Sequence, residues 1–159
     1  MMLLDPNDNL RRIFNLGTKT AEKILRKNVS FVIPAPALGE AVMKVRDKRP
    51  DKFLDDMAEL DRLLKTGLLN LSYIHNPTGV YYWAKRLSEM DNDDRDTISP
   101  MDALIAGTAI ADPDSTTFYT VDSLLTNSSM WDDVAEWRND RGMRKISVSG
   151  IEDVIRTKK

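Results

Sequence analysis

The sequence predicts an α/β fold with a parallel sheet, and three observations carry that prediction. Short runs of strand character alternate along the chain with segments of helical period. The intervals between those runs are long enough for the crossovers that parallel neighbours require. The 159 residues hold no Gly-, Ser- or Pro-rich linker, no internal repeat and no low-complexity tract, so one compact unit with a substantial core is expected.

Taken in order, MMLL (1–4) and VSFVI (29–33) read as short buried strands. Between them TKTAEKILRK (18–27) has helical spacing at Ala21, Ile24 and Leu25. Pro34 and Pro36 open a helix in which Leu38, Ala41, Val42 and Val45 follow the i, i+3, i+4, i+7 pattern. Asp51 to Thr66 carries Phe53, Leu54, Met57, Leu60, Leu63 and Leu64 on an apolar stripe and stops at Gly67, a C′ residue by type. LLNLSYI (68–74) alternates as a strand, and Gly79 to Met90 is helical with Tyr82, Ala84 and Leu87 as packing positions and the polar loop DNDDRD (91–96) after it. Ser99 has the chemistry of an N-cap with Pro100 at N1, and MDALIAGTAIA (101–111) is a helix apolar nearly all round. TTFYTV (116–121) is a β-branched and aromatic strand, and KISV (145–148) is the fifth.

Composition excludes several chemistries. Zero Cys removes disulfides, Fe–S clusters, thiolate zinc sites and cysteine nucleophiles. A single histidine, His75, cannot build a His-rich metal cage, and no Gly-x-Ser-x-Gly elbow accompanies it. His75 reads as a surface or capping residue, and Trp131 and Trp137 with Val134 as packing positions rather than a base-stacking platform. No apolar run approaches about 18 residues, and the MMLLD start has neither the basic flank nor the length of a signal peptide, so a cytoplasmic, non-membrane protein is expected. The net charge of −2 argues against gripping nucleic acid by global charge. Its distribution is uneven: +5 over residues 1–52, −10 over 53–143 and +3 over 144–159. The densest basic stretch, Lys44, Arg46, Lys48, Arg49 and Lys52, reads as a solvated helix end and loop, with phosphate contact as the alternative.

Sites in open parallel sheets form at the carboxyl edge of the strands. Four acids fall there. Asp5 follows the first strand, Asp122 follows FYTV, Glu40 lies in the early turns of the helix launched from FVIP, and Asp102 stands at N3 of the helix leading into the fourth strand. Each has a plain structural role open to it: Asp102 favours the helix dipole, worth about 0.3–1 kcal/mol, Asp5 and Asp122 suit turns or caps, and Glu40 points away from the Leu38/Val42 stripe as a surface glutamate would. Their joint placement points further. Four converging carboxylates repel one another, no basic residue is placed beside them in sequence to neutralise the cluster, and a hard divalent cation that prefers oxygen ligands resolves the repulsion. Such a site can hydrolyse phosphodiesters without His or Cys.

These residues resemble the PIN domain, a small metal-dependent nuclease fold that includes VapC-type toxins of toxin–antitoxin pairs. The strongest match is SPMDALIAGTAIADPDSTTFYTVDSLL (99–125), with an Asp opening an Ala-rich helix and then a strand ending in Thr-x-Asp. Asp102 and Asp122 are 20 residues apart, with Thr120 two before the second acid. VIPAPALGEAVMKV (32–45) resembles the segment bearing the family's helix glutamate, and the 35-residue gap from Asp5 to Glu40 suits its first acid. The N-terminus departs from the pattern. The family shows Asp-x-Asn or Asp-x-Ser followed by apolar residues, whereas LLDPNDNLRRIF keeps Asp5 and Asn7 but adds Pro6, Asp8 and Asn9. DPNDN is also not a calcium loop, because Leu10 replaces the required Gly and Leu16 stands where the bidentate Glu belongs.

The resemblance implies a three-layer α/β/α sandwich with a central parallel sheet of four to five strands over residues 1–150, followed by a short helix and basic tail at 151–159. It implies an endoribonuclease in which Asp5, Glu40, Asp102 and Asp122 hold Mg²⁺ or Mn²⁺, with Asn7 and Thr120 orienting a ligand or water behind them. Arg11, Arg12, Lys44 and Arg46 are candidate phosphate contacts, and RNA exposed in loops is the implied substrate. A homodimer and a small antitoxin are the implied partners, with helix 51–66 and the apolar residues around Tyr81, Tyr82 and Trp83 as candidate interface residues, core packing being the expected role for most of them. Two other readings compete: a catalytically silent PIN-like scaffold acting through protein or RNA contacts, and a phosphatase or receiver-type protein. The latter lacks a strand-end lysine, since none follows Asp122 before Lys145.

Overall fold

The computed structural model describes residues 2–3, 31–89, 98–120, 123–126 and 129–150. The expected helix at 18–27 and the tail at 151–159 lie outside these residues. The order is β1 (Met2–Leu3), β2 (Phe31–Pro34), α1 (Ala35–Lys48), a 3-10 turn (Pro50–Lys52), α2 (Phe53–Lys65), β3 (Leu69–Ser72), α3 (Pro77–Ser88), α4 (Pro100–Ala111), β4 (Thr117–Tyr119), α5 (Ser123–Thr126), α6 (Met130–Asn139) and β5 (Ser147–Ser149). The class is α/β, and the strands are short and parallel.

The strands pair in the order β3-β2-β1-β4-β5. Met2 faces Val32 on one side and Phe118 on the other, and Leu3 faces Tyr119. Phe31 to Pro34 run in register with Leu69 to Ser72, and Thr117 to Tyr119 with Ser147 to Ser149. The strand order therefore reverses beside β1, and the carboxyl ends of β1 and β4 lie next to each other. In open α/β sheets this is where a ligand crevice forms.

Local chemistry explains the helix boundaries. The Asn76 side chain accepts from the Gly79 amide at 3.0 Å and Pro77 takes N1, so α3 begins two residues before the apolar pattern does. Gly67 adopts φ +69°, and its amide reaches the Leu64 carbonyl at 3.1 Å, closing α2 as its type predicts. The 50s segment opens as a 3-10 turn before becoming α-helical at Phe53. Two short helices, α5 and α6, were not distinguished by periodicity.

α4 is the hub. From Ala103 to Ala111 every residue except Leu104 is buried. It packs on β2 at the sheet and on α3 and α6 further out, which is why no polar face survives. Its closest neighbour is α3: a Cβ at Gly107 would stand 2.7 Å from the Val80 carbonyl oxygen and 3.0 Å from the Ala84 nitrogen. Trp83, fully buried on α3, joins Phe31, Ile33, Leu69 and Phe118 in the core, so packing rather than an interface is its role, as expected for most of this group. Tyr81 and Tyr82 are exposed, which corrects the packing position expected at Tyr82, whereas Leu87 is buried and Ala84 half-buried. Trp131 and Trp137 pack against the core as expected. Among the described residues no helix is long and apolar enough to cross a membrane.

Candidate functional site

Asp102 is held by its own helix cap. Ser99, at the extended N-cap of α4, accepts from the Asp102 amide at 3.1 Å. Its hydroxyl donates in turn to Asp102 Oδ2 at 2.6 Å. A carboxylate at N3 is also favoured by the positive end of the helix dipole. The side chain is half-buried, and no cation faces it among the described residues.

Glu40 lies in the second turn of α1, the helix that packs against α4. Its side chain is only 18% exposed, and Oε1 lies 2.8 Å from Lys44 Nζ. Two expectations change here. Glu40 is not the open surface glutamate that the Leu38/Val42 stripe suggested, because α1 buries Ala37, Ala41 and Val45 and leaves Leu38 and Val42 only half-covered. A basic residue does stand beside one of the acids, four residues on, and Lys44 in this structure balances Glu40 rather than standing ready for phosphate. Arg46 is exposed and meets Asp47 at 3.3 Å.

Thr120 is fully buried at the end of β4, and its amide donates to the Ser149 carbonyl at 3.1 Å, continuing the ladder between β4 and β5. Asp5, Asn7, Arg11, Arg12 and Asp122 lie outside the described residues. Asp5 comes two positions after Leu3 and Asp122 three after Tyr119, the residues paired at the adjacent ends of β1 and β4. His75 is exposed in the turn after β3. Among the described residues no three His, Cys, Asp or Glu side chains meet. The two predicted acids that are described do fit a hard cation by their chemistry: both offer carboxylate oxygens on helices in mutual contact, and Asp102 has a negative charge without a described counter-ion.

The frame behind this site depends on a residue that sequence reasoning missed. Arg138, on α6, is fully buried. Its guanidinium donates to the carbonyls of Ile110 at 2.6 Å, Asp112 at 2.9 Å, Ser115 at 2.8 Å and Arg144 at 2.7 Å. It thereby satisfies carbonyls left open at the C-terminus of α4 and in the turn to β4. Burial pulls its pKa down, and the nearby Asp112 carboxylate opposes that shift. Asp112 is itself braced by the Ser115 hydroxyl at 2.8 Å and the Asp114 amide at 3.1 Å. No local motif marks Arg138, since its acceptors lie 6 to 28 residues away. By contrast, the Ser-x-x-Asp spacing of Ser99 and Asp102 and the i, i+4 spacing of Glu40 and Lys44 were visible signals.

The fold is similar to that of a chain in the crystal structure of VapBC2 from Rickettsia felis bound to a DNA fragment from their promoter. The likeness has a TM-score of 0.57 and covers 94% of this chain and 96% of that chain at 18% sequence identity. At that identity it concerns the fold. No family model matches the sequence, and no curated protein matches it.

Proposed function

We propose that the protein is a metal-dependent endoribonuclease of PIN type, the toxin of a toxin–antitoxin pair. The observation that carries this reading is that two of the four acids stand on helices in contact, Asp102 at N3 of the buried helix α4 and Glu40 in the second turn of α1. In sequence, Asp5 and Asp122 come shortly after Leu3 and Tyr119, the residues paired at the ends of β1 and β4. The VapBC2 fold similarity supports the same reading, and the three-layer α/β/α sandwich is the arrangement that the PIN resemblance implies for it.

In this reading Asp5, Glu40, Asp102 and Asp122 hold Mg²⁺ or Mn²⁺. Held by these carboxylates, such an ion would supply water activation at neutral pH and charge neutralisation at the phosphoryl oxygens and leaving group. Asn7 and Thr120 orient ligands behind the carboxylates. Arg11, Arg12, Lys44 and Arg46 are the candidate contacts to the RNA backbone, Lys44 only after leaving Glu40. Single-stranded or looped RNA is the substrate class, because its bases are splayed away from a helical stack. A small antitoxin partner is consistent with the VapBC2 structure in which the similar chain was solved, and a homodimer is what the PIN resemblance implies.

Cleavage of RNA in the presence of Mg²⁺ or Mn²⁺, lost in Asp102→Asn, is the expected result. Undiminished cleavage by that variant would refute the assignment. The silent-scaffold reading is favoured by one observation, the Lys44 ammonium already balancing Glu40 at 2.8 Å. It predicts no site-specific Mn²⁺ heat in a calorimetric titration.

A further inference from the structure

We propose that Ser99 is a positioning residue for the metal-facing carboxylate of Asp102, an inference that rests on the nuclease reading above. A serine hydroxyl has one proton and two lone pairs. Here both capacities are spent on one residue: the oxygen accepts from the Asp102 amide at 3.1 Å, and the proton goes to Asp102 Oδ2 at 2.6 Å. In the usual capping box the N3 acid turns back to the N-cap amide. Asp102 takes the hydroxyl proton instead.

The pair of bonds closes a small ring through the Asp102 backbone and side chain, fixing the carboxylate plane. The 2.6 Å contact falls in the short range typical of a hydroxyl donating to an ionised carboxylate. Oδ2 is thus occupied, and among the described residues Oδ1 accepts no hydrogen bond. A carboxylate anchored through one oxygen presents the other to a cation in a set direction, the task that outer-sphere partners perform in metal sites. Ser99 is exposed and has no core packing that would explain its orientation otherwise.

Calorimetric Mn²⁺ titration of the full chain separates this role from helix capping. Ser99→Gly keeps most of the cap, because glycine is well tolerated at that position, but has no proton to give. It is expected to bind Mn²⁺ about tenfold more weakly than the parent, in the range such outer-sphere partners carry, with a melting temperature close to the parent's. Ser99→Thr restores the donor and the affinity. Parent-like Mn²⁺ affinity in Ser99→Gly, with binding lost in Asp102→Asn, overturns the positioning role and leaves the metal site standing. Binding that is absent in the parent, or unchanged in Asp102→Asn, overturns the metal reading and this inference with it.

Discussion

Arg138 Nη1 donates to the Ile110 carbonyl at 2.6 Å, tying the C-terminus of α4, the helix that carries Asp102 in its first turn, to an arginine fully removed from solvent. Bonds to Asp112 and Ser115 extend the tie into the turn before β4, so one side chain sets both α4 and the strand that leads to Asp122. Arg138→Met should cost about 3 kcal/mol or more, because several buried carbonyls lose charged donors at once. Arg138→Lys should recover little, since a single ammonium cannot span the same acceptors. Urea unfolding measures both, and a parent-like midpoint for Arg138→Met would contradict this role.

Two helical glycines give opposite expectations. At Gly107 an added Cβ meets the α3 backbone at 2.7 Å, so Gly107→Ala should destabilise by about 1–3 kcal/mol through forced separation of α3 and α4. Gly39, exposed on α1, has nothing within 4 Å of the same atom. Gly39→Ala should stabilise by about 0.5–1 kcal/mol through helix propensity alone. Thermal melts of the two variants should therefore move in opposite directions.

Under the proposed function, Lys44 and a divalent ion would compete for the Glu40 carboxylate. Lys44→Met removes a partly exposed i, i+4 pair at a stability cost of about 0.3–0.5 kcal/mol. It should also tighten Mn²⁺ binding, because Glu40 no longer has to exchange one cation for another. Weaker binding in this variant would show that Lys44 supports the site rather than competing with the ion.

Glu59 supplies the pH-dependent contact. Hydrogen bonds from Arg62 at 2.9 and 2.8 Å hold its carboxyl below the ordinary value, partial desolvation opposes the shift, and the arginine's charge adds to the lowering. With the folded pKa below the unfolded one, the pair contributes stability above the unfolded value and loses it as pH falls through the folded value. The stability difference between parent and Glu59→Gln should be small near neutrality, since the pair is largely exposed, and should disappear in acid. A difference that grows on acidification would reverse this sign.

The start of α4 was legible because its chemistry is local: Ser99, Pro100 and Asp102 occupy N-cap, N1 and N3 whatever the rest of the chain does. The turn at Gly67 was legible for the same reason. The face of α1 was read in part: Ala41 and Val45 of the expected stripe are buried, while Leu38 and Val42, to which periodicity gives weight as large aliphatic residues, are only half-covered. Ala37, outside that stripe, is buried as well, and with Ala41 it sets small residues on the packed face of the helix whose Glu40 is drawn partly out of water. Arg138 sits in the polar run WRNDRG and has the local signature of a solvated charge. Only tertiary packing brings the carbonyls of Ile110, Asp112 and Ser115 to it.

Mn²⁺ binding by the parent chain and by Asp5→Asn, Glu40→Gln, Asp102→Asn and Asp122→Asn tests the central claim most directly. The account predicts a specific site in the parent and a loss of about tenfold or more in affinity for each single substitution, as expected when a ligand is removed from a shared cation. A parent without a specific site, or four variants that bind as the parent does, would contradict it.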